Sequence, residues 1–194
     1  VGPGPDGATG ASTTLAMVHA VDLASGRADY TSRWLVGGDA TACYTGLLVH
    51  AGRLVVLGDH ATPVELDDEL IPVDGTRPPW GIGAHVHVDP VWDDLLAVEA
   101  PPDEARILLT VADQRGRVQR VVEIPTDAPV TVHDFAFTDR FVVVIVAGSE
   151  GLDVPARIGL IPRLDDVPVA RWFEASPRWV RHFMNAFEAD GEVV

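Results

Sequence analysis

Lysine is missing altogether: the 14 basic residues of this 194-residue chain are all arginine, set against 29 acidic residues. Without a lysine amine, no Schiff-base, P-loop or Ser–Lys chemistry can run on this stretch. The formal net charge of −15 argues against a nucleic-acid footprint and against attraction to anionic membrane; its plain consequence is solubility. Cysteine is nearly absent, with Cys43 alone, so an intrachain disulfide and a cysteine-built zinc or iron–sulfur cage are excluded. A single thiol suits a reducing compartment, and a cytoplasmic location is the expectation. No run approaches the roughly 18 apolar residues of a membrane span. The longest, from Phe141 to Ala147, has the length of a strand. No signal peptide is visible, and no stretch keeps a 3.6-residue apolar period long enough to specify a helix.

What is present is punctuation and short apolar runs. Gly (18) and Pro (15) are frequent. Strand-like runs rich in Val, Ile, Leu and Phe cover Leu15–Leu23, Leu47–His50, Leu54–Leu57, Gly83–Val88, Leu95–Val98, Arg106–Val111, Val118–Ile124, Val130–Phe137, Phe141–Val146 and Arg157–Ile161. Turn pairs separate them: Ser25-Gly26, Ala51-Gly52, Asp74-Gly75, Arg115-Gly116, Thr138-Asp139 and Asp190-Gly191. The pattern predicts an all-β fold: a sandwich, a barrel or part of a propeller. Residues 1–12, rich in Gly, Pro and Ala, are expected to be loose. The first residue is Val, and the chain ends at Gly191-Glu192-Val193-Val194 like a strand cut short, so 1–194 reads as a single partial domain.

The chemistry-bearing candidates are the seven histidines: His19, His50, His60, His85, His87, His133 and His182. His85 and His87 alternate with Val86 and Val88, which puts the two imidazoles on one face of a strand. No His-x-x-x-His or Glu-x-x-His pair on a helix is present. A metal site would therefore have to collect imidazoles from separate strands. Taken singly, each histidine is more often a hydrogen-bonded or solvated residue than a ligand.

The flanks of three histidines narrow this. Ala84-His85 followed by Asp89-Pro90, then Val132-His133-Asp134-Phe135-Ala136 with Thr138, then His182 followed by Asn185-Ala186-Phe187-Glu188, occur in that order. Together they resemble the ligand motifs of the carotenoid cleavage oxygenase family, which includes retinoid isomerases and stilbene-cleaving dioxygenases. Ile158-Gly159-Leu160-Ile161-Pro162-Arg163 and Trp172-Phe173-Glu174 resemble further family stretches, as do Met17 to Val21 and His50 to Leu54. The resemblance runs from about Leu15 to Val194. It implies part, about three blades, of a seven-bladed β-propeller with Fe(II) on its axis. Neutral imidazoles suit that ion.

Carried over by position, His85, His133 and His182 are metal ligands. A fourth histidine and two outer glutamates of the family fall beyond Val194. Asp59 stands where the family has the remaining outer glutamate and is one methylene shorter. Glu188, His19, His50, His60 and His87 read as structural or solvated. The segments between Trp34 and Thr45 and between Ala147 and Arg157 are shorter than is usual in the family.

The resemblance implies that the parent protein cleaves a C=C bond of a carotenoid, apocarotenoid or related substrate with O2, giving two carbonyl products. An iron-dependent isomerase and a non-catalytic propeller segment without a complete metal site are the alternatives. The expected partners are O2 and an apolar polyene or related small molecule, not nucleic acid. Peripheral membrane contact would come through parts of the parent outside this chain. Phenol-binding stilbene-cleaving relatives carry a lysine where Gly58 stands, which favours an apolar polyene. About three blades cannot close a seven-bladed ring, so the chain on its own is expected to expose strand edges and to self-associate.

Overall fold

A computed structural model describes residues 16–22, 29–35, 45–58, 61–73, 85–146, 155–175 and 180–194. Among these residues every regular element is a strand, as the sequence predicts. Strands β1 (Ala16–Asp22) and β2 (Asp29–Leu35) form one antiparallel pair. Strands β3 (Gly46–His50), β4 (Arg53–Gly58) and β5 (Ala61–Leu66) form a three-stranded meander. Two four-stranded meanders follow. The first is β6 (Val86–Val88), β7 (Leu95–Glu99), β8 (Arg106–Ala112) and β9 (Val118–Pro125). The second is β10 (Phe135–Phe137), β11 (Phe141–Val146), β12 (Ala156–Pro162) and β13 (Arg171–Ala175). The pair β14 (Glu188–Ala189) and β15 (Glu192–Val193) closes the series. Four-stranded antiparallel sheets connected in sequence order are the blades of a β-propeller.

Side-chain alternation shows how the blades stack. Strand β7 is buried at four consecutive positions because it lies between two neighbours. Leu95 and Ala97 pack with Val55 and Leu57 of β4, whereas Leu96 and Val98 point the other way. The second set joins Ile107, Leu109, Val122 and Ile124 against Phe135, Val142, Val144, Val146 and Ile161 of the next blade. Strand β11 repeats the arrangement. Its Val143 turns to Ala136 and Ala186 on the far face. Burial fades outward: β9 alternates buried and exposed, and its Arg120 and Glu123 keep charge beside an edge that would otherwise invite another strand.

Turn chemistry agrees with the sequence where it is described. Ala51-Gly52 joins β3 to β4 with φ of 52° and 72°, and Asp190-Gly191 joins β14 to β15 with 53° and 84°. Two successive positive φ values in a two-residue hairpin loop match the right-handed twist of the flanking strands. Asp113 organises the β8–β9 turn at Arg115-Gly116: its Oδ1 accepts the N–H groups of Arg115 and Arg117, each at 2.9 Å. Ser25-Gly26 and Asp74-Gly75 lie outside the described residues, as do residues 1–12.

Two strands are shorter than the sequence predicts. Among the described residues, the run Gly83–Val88 pairs as a strand only from Val86, so His85 precedes β6 instead of sharing a strand face with His87. The run Val130–Phe137 pairs as a strand only from Phe135 onward. The reason is local: the Asp134 side chain, rather than a neighbouring strand, takes the Phe135 N–H at 2.8 Å. His133 therefore precedes β10 instead of lying in it. Strands β2, β5 and β13 carry too little apolar alternation to stand out in the sequence.

Candidate metal centre

His85, His133 and His182 occupy equivalent places. Each lies shortly before the first strand of its sheet: β6, β10 and β14. Stacked sheets bring those places together. The His85 and His133 ring centroids are 5.0 Å apart, His85 and His182 4.9 Å, and His133 and His182 5.0 Å. The rings meet edge to face, and one ligand nitrogen from each lies within 4.8 Å of the other two. It is the only such donor group among the described residues. His85 and His133 are half-buried, while the His182 side chain is 59% exposed.

His85 Nε2 is buried and has no hydrogen-bond partner. A buried polar atom without a partner is costly, and a ring packed against two other imidazoles is well placed to share a cation with them. Burial lowers the His85 pKa below the ordinary value. Asp134 opposes that effect, and the neighbouring His133, His182 and His87 reinforce it. The imidazole is thus neutral near pH 7, the form in which histidine ligates a metal. Three imidazoles and no thiolate form a donor set suited to borderline divalent ions, iron among them. The residues present fit the group that the resemblance implies.

Asp134 escaped the sequence reading as a site residue. Its carboxylate is 7% exposed. Oδ2 accepts the Phe183 N–H at 3.0 Å and lies 3.6 Å from His182 Nδ1; Oδ1 lies 3.4 Å from His87 Nε2. Burial pushes this carboxyl up, but the His87 contact, the Phe183 and Phe135 N–H groups and His85 outweigh it and hold it at about 2. The Asp directly after His133 was the available signal; that its partners lie in the His182 segment was not readable.

The remaining described candidates make contacts away from the cluster or beside it. His50 Nε2 donates to the Asp113 carbonyl at 2.9 Å, linking two blades. His87 packs edge to face on Phe135, centroids 4.6 Å apart, on the face opposite Val86. Glu188 accepts from Thr138 Oγ1 at 2.7 Å, from the Arg140 N–H at 3.0 Å and from the Arg140 guanidinium, so it pins β14 to the β10–β11 turn. Asp59 and His60 lie outside the described residues, as does the side chain of His19.

Asp89 and Thr138, from two of the histidine motifs, form a clamp between blades with Arg163. Arg163 is 4% exposed; its guanidinium pairs with Asp89 and donates to the Thr138 carbonyl at 2.8 Å. It lies 5.1 Å from the centroids of both Trp92 and Phe137. Asp89 also accepts the N–H groups of Val91 and Trp92 at 2.8 and 3.3 Å. Two grooves flank this region. One, of about 430 Å³, runs along His87, Phe137 and Met184; the other, of about 770 Å³, runs along Val143, Leu160 and Phe173. Neither is lined by the three clustered histidines.

Comparison with known proteins bears on the family and the fold. The chain is 26% identical to isoeugenol monooxygenase of Pseudomonas nitroreducens over 86% of its length, which is 40% of that protein. It is 27% identical to carotenoid cleavage oxygenase 1 of Neurospora crassa, covering 75% of the chain and 32% of the relative. Among solved structures, the lignostilbene dioxygenase of Pseudomonas brassicacearum superimposes with a TM-score of 0.76 at 21% identity, over 91% of this chain and 48% of that one. A point mutant of the Synechocystis apocarotenoid oxygenase gives 0.74 at 18%, over 91% and 50%. The chain thus spans half or less of each of these four proteins, and the shared fold is part of a β-propeller. The family model described as retinal pigment epithelial membrane protein matches residues 35–194, and the chain accordingly belongs to that family, the family of the carotenoid cleavage oxygenases.

Proposed function

We propose that the protein carrying this chain is a non-haem Fe(II) dioxygenase that cleaves a C=C bond of a carotenoid, apocarotenoid or related substrate. The alkene and O2 are converted into two carbonyl products, so no external reductant is required. The observation that carries this reading is the convergence of His85, His133 and His182 from three sheets, with His85 Nε2 buried and without a partner. Those three side chains would hold the iron, which when bound supplies the activation of O2. The protein's own part is to bring the three imidazoles together and hold them fixed in aim. Docking of the sheets that carry them serves that end, and burial favours the neutral form of His85.

The relatives' names span phenylpropene, stilbene and carotenoid substrates. The apolar polyene is favoured because the chain contains no lysine to meet a phenol. The test is metal analysis of the full-length protein, followed by product analysis under 18O2 with carotenoid-like and hydroxystilbene-like substrates. One iron per protein and label in both carbonyls is the expected result. An isomerised product without label would replace cleavage by isomerisation, and faster turnover of the hydroxystilbene would overturn the substrate preference.

A further inference from the structure

We propose that Asp134 is the positioning residue of the histidine cluster, joining the segments that carry all three imidazoles through one buried carboxylate. The inference rests on the metal reading above and adds to it a residue that does not itself touch the metal. Three sets of contacts carry it. Asp134 follows His133 directly, and its Oδ1 takes the next N–H, that of Phe135, at 2.8 Å; this ends the β10 ladder and leaves His133 just before it. Oδ2 takes the Phe183 N–H at 3.0 Å, which fixes the backbone one residue after His182. Oδ1 also meets Nε2 of His87, two residues after His85, at 3.4 Å.

A carboxylate serving only to satisfy a turn would find its partners within a few residues, as Asp113 does with Arg115 and Arg117. Asp134 reaches instead across 47 and 49 residues, and its ion-pair partners among the described residues are His87 and His182. His182 turns Nδ1 toward Oδ2 at 3.6 Å. A carboxylate facing Nδ1 at this distance favours a proton on that nitrogen and the lone pair on Nε2, so it biases tautomer and ring orientation together. This matters most for His182, the most exposed of the three and therefore the one least held by packing.

The experiment uses the full-length protein, stripped of metal and titrated with Co(II), whose visible bands report ligand number and geometry. Asp134→Asn is expected to weaken Co(II) binding about 10–100-fold and to change the bands, the range typical for loss of an outer partner of a ligating histidine. Asp89→Asn removes the other buried carboxylate clamp and serves as the control. It should lower the melting temperature while leaving the bands of the folded protein unchanged. If Asp134→Asn does not fold, Asp134→Glu keeps the charge, displaces it by one methylene, and is expected to shift the bands likewise. Binding within about twofold of the parent, with unchanged bands, would reduce Asp134 to a structural residue and overturn the proposal. A parent protein that takes up neither Co(II) nor Fe(II) would instead overturn the metal reading, and the role of Asp134 with it.

Discussion

The Arg163–Asp89 pair offers the sharpest test of how the motifs hold the blades together. Both side chains are buried, at 4% and 6% exposure. Replacing Arg163 by Met leaves the Asp89 charge without its counterion and the Thr138 carbonyl without its donor. Removing one member of a buried pair costs about 3–5 kcal/mol. With a urea dependence near 3 kcal/mol per molar, that is a fall in midpoint of about 1–1.7 M. Asp89→Asn, which strands the guanidinium, should lose a similar amount. The double variant should recover to within about 2 kcal/mol of the parent. Met is an unbranched apolar side chain that can lie between Trp92 and Phe137, and the Asn oxygen still accepts from Val91. Urea unfolding of the four full-length proteins closes the cycle, with a coupling energy of at least about 2 kcal/mol expected. Single variants within about 1 kcal/mol of the parent, or costs that merely add, would refute the claim that this pair joins two blades as one charge-balanced unit.

His85→Ala, His133→Ala and His182→Ala should each abolish stoichiometric iron, measured by elemental analysis, with His85 the most damaging because its Nε2 is the buried one. Gly159→Ala places a methyl 2.7 Å from Trp172 Cζ3 and 3.0 Å from Val144 Cγ2; the overpacking should cost about 1–3 kcal/mol and alter tryptophan fluorescence. Stability should fall on acidification below about pH 4. Burial raises the Asp89 pKa, but Arg163 and two N–H groups more than offset this, and for Glu188 the Arg140 and Thr138 hydrogen bonds lower it. A carboxyl depressed on folding contributes stability above its unfolded pKa and loses it as pH drops through the folded one. The Asp89→Asn variant should show a shallower acid limb in urea unfolding at pH 3–5.

Most blade strands were legible because their interiors are apolar on both faces, as in Leu95–Glu99 and Phe141–Val146. Edge strands need only one good face or none, which is why Asp29–Leu35 and Arg171–Ala175 did not declare themselves. Val130–Phe137 misled in the opposite direction. Its apolar content is real, yet Asp134 diverts the backbone bond that a longer strand would need. The histidines could not be grouped by spacing, since their meeting is a product of blade stacking; only the flanking Asp-Pro, Asp-Phe-Ala and Asn-Ala-Phe-Glu residues marked them. The structure gives those flanks work of their own. Asp89 binds Arg163, Thr138 and Glu188 bind each other, and Asp134 reaches the His182 segment.

His85, His133 and His182 are separated by 48 and 49 residues, and this spacing governs when an ion can be captured. Gathering three imidazoles in an unfolded chain requires closing two loops of that length, each at about 3 kcal/mol of chain entropy. The unfolded chain is therefore a poor chelator, and an ion held by these histidines would be a ligand of the folded state alone. Its binding would then raise stability by mass action with free metal concentration. Metal uptake would belong late in folding, after the β6–β9, β10–β13 and β14–β15 sheets have docked, and any event that parts those sheets would release the ion.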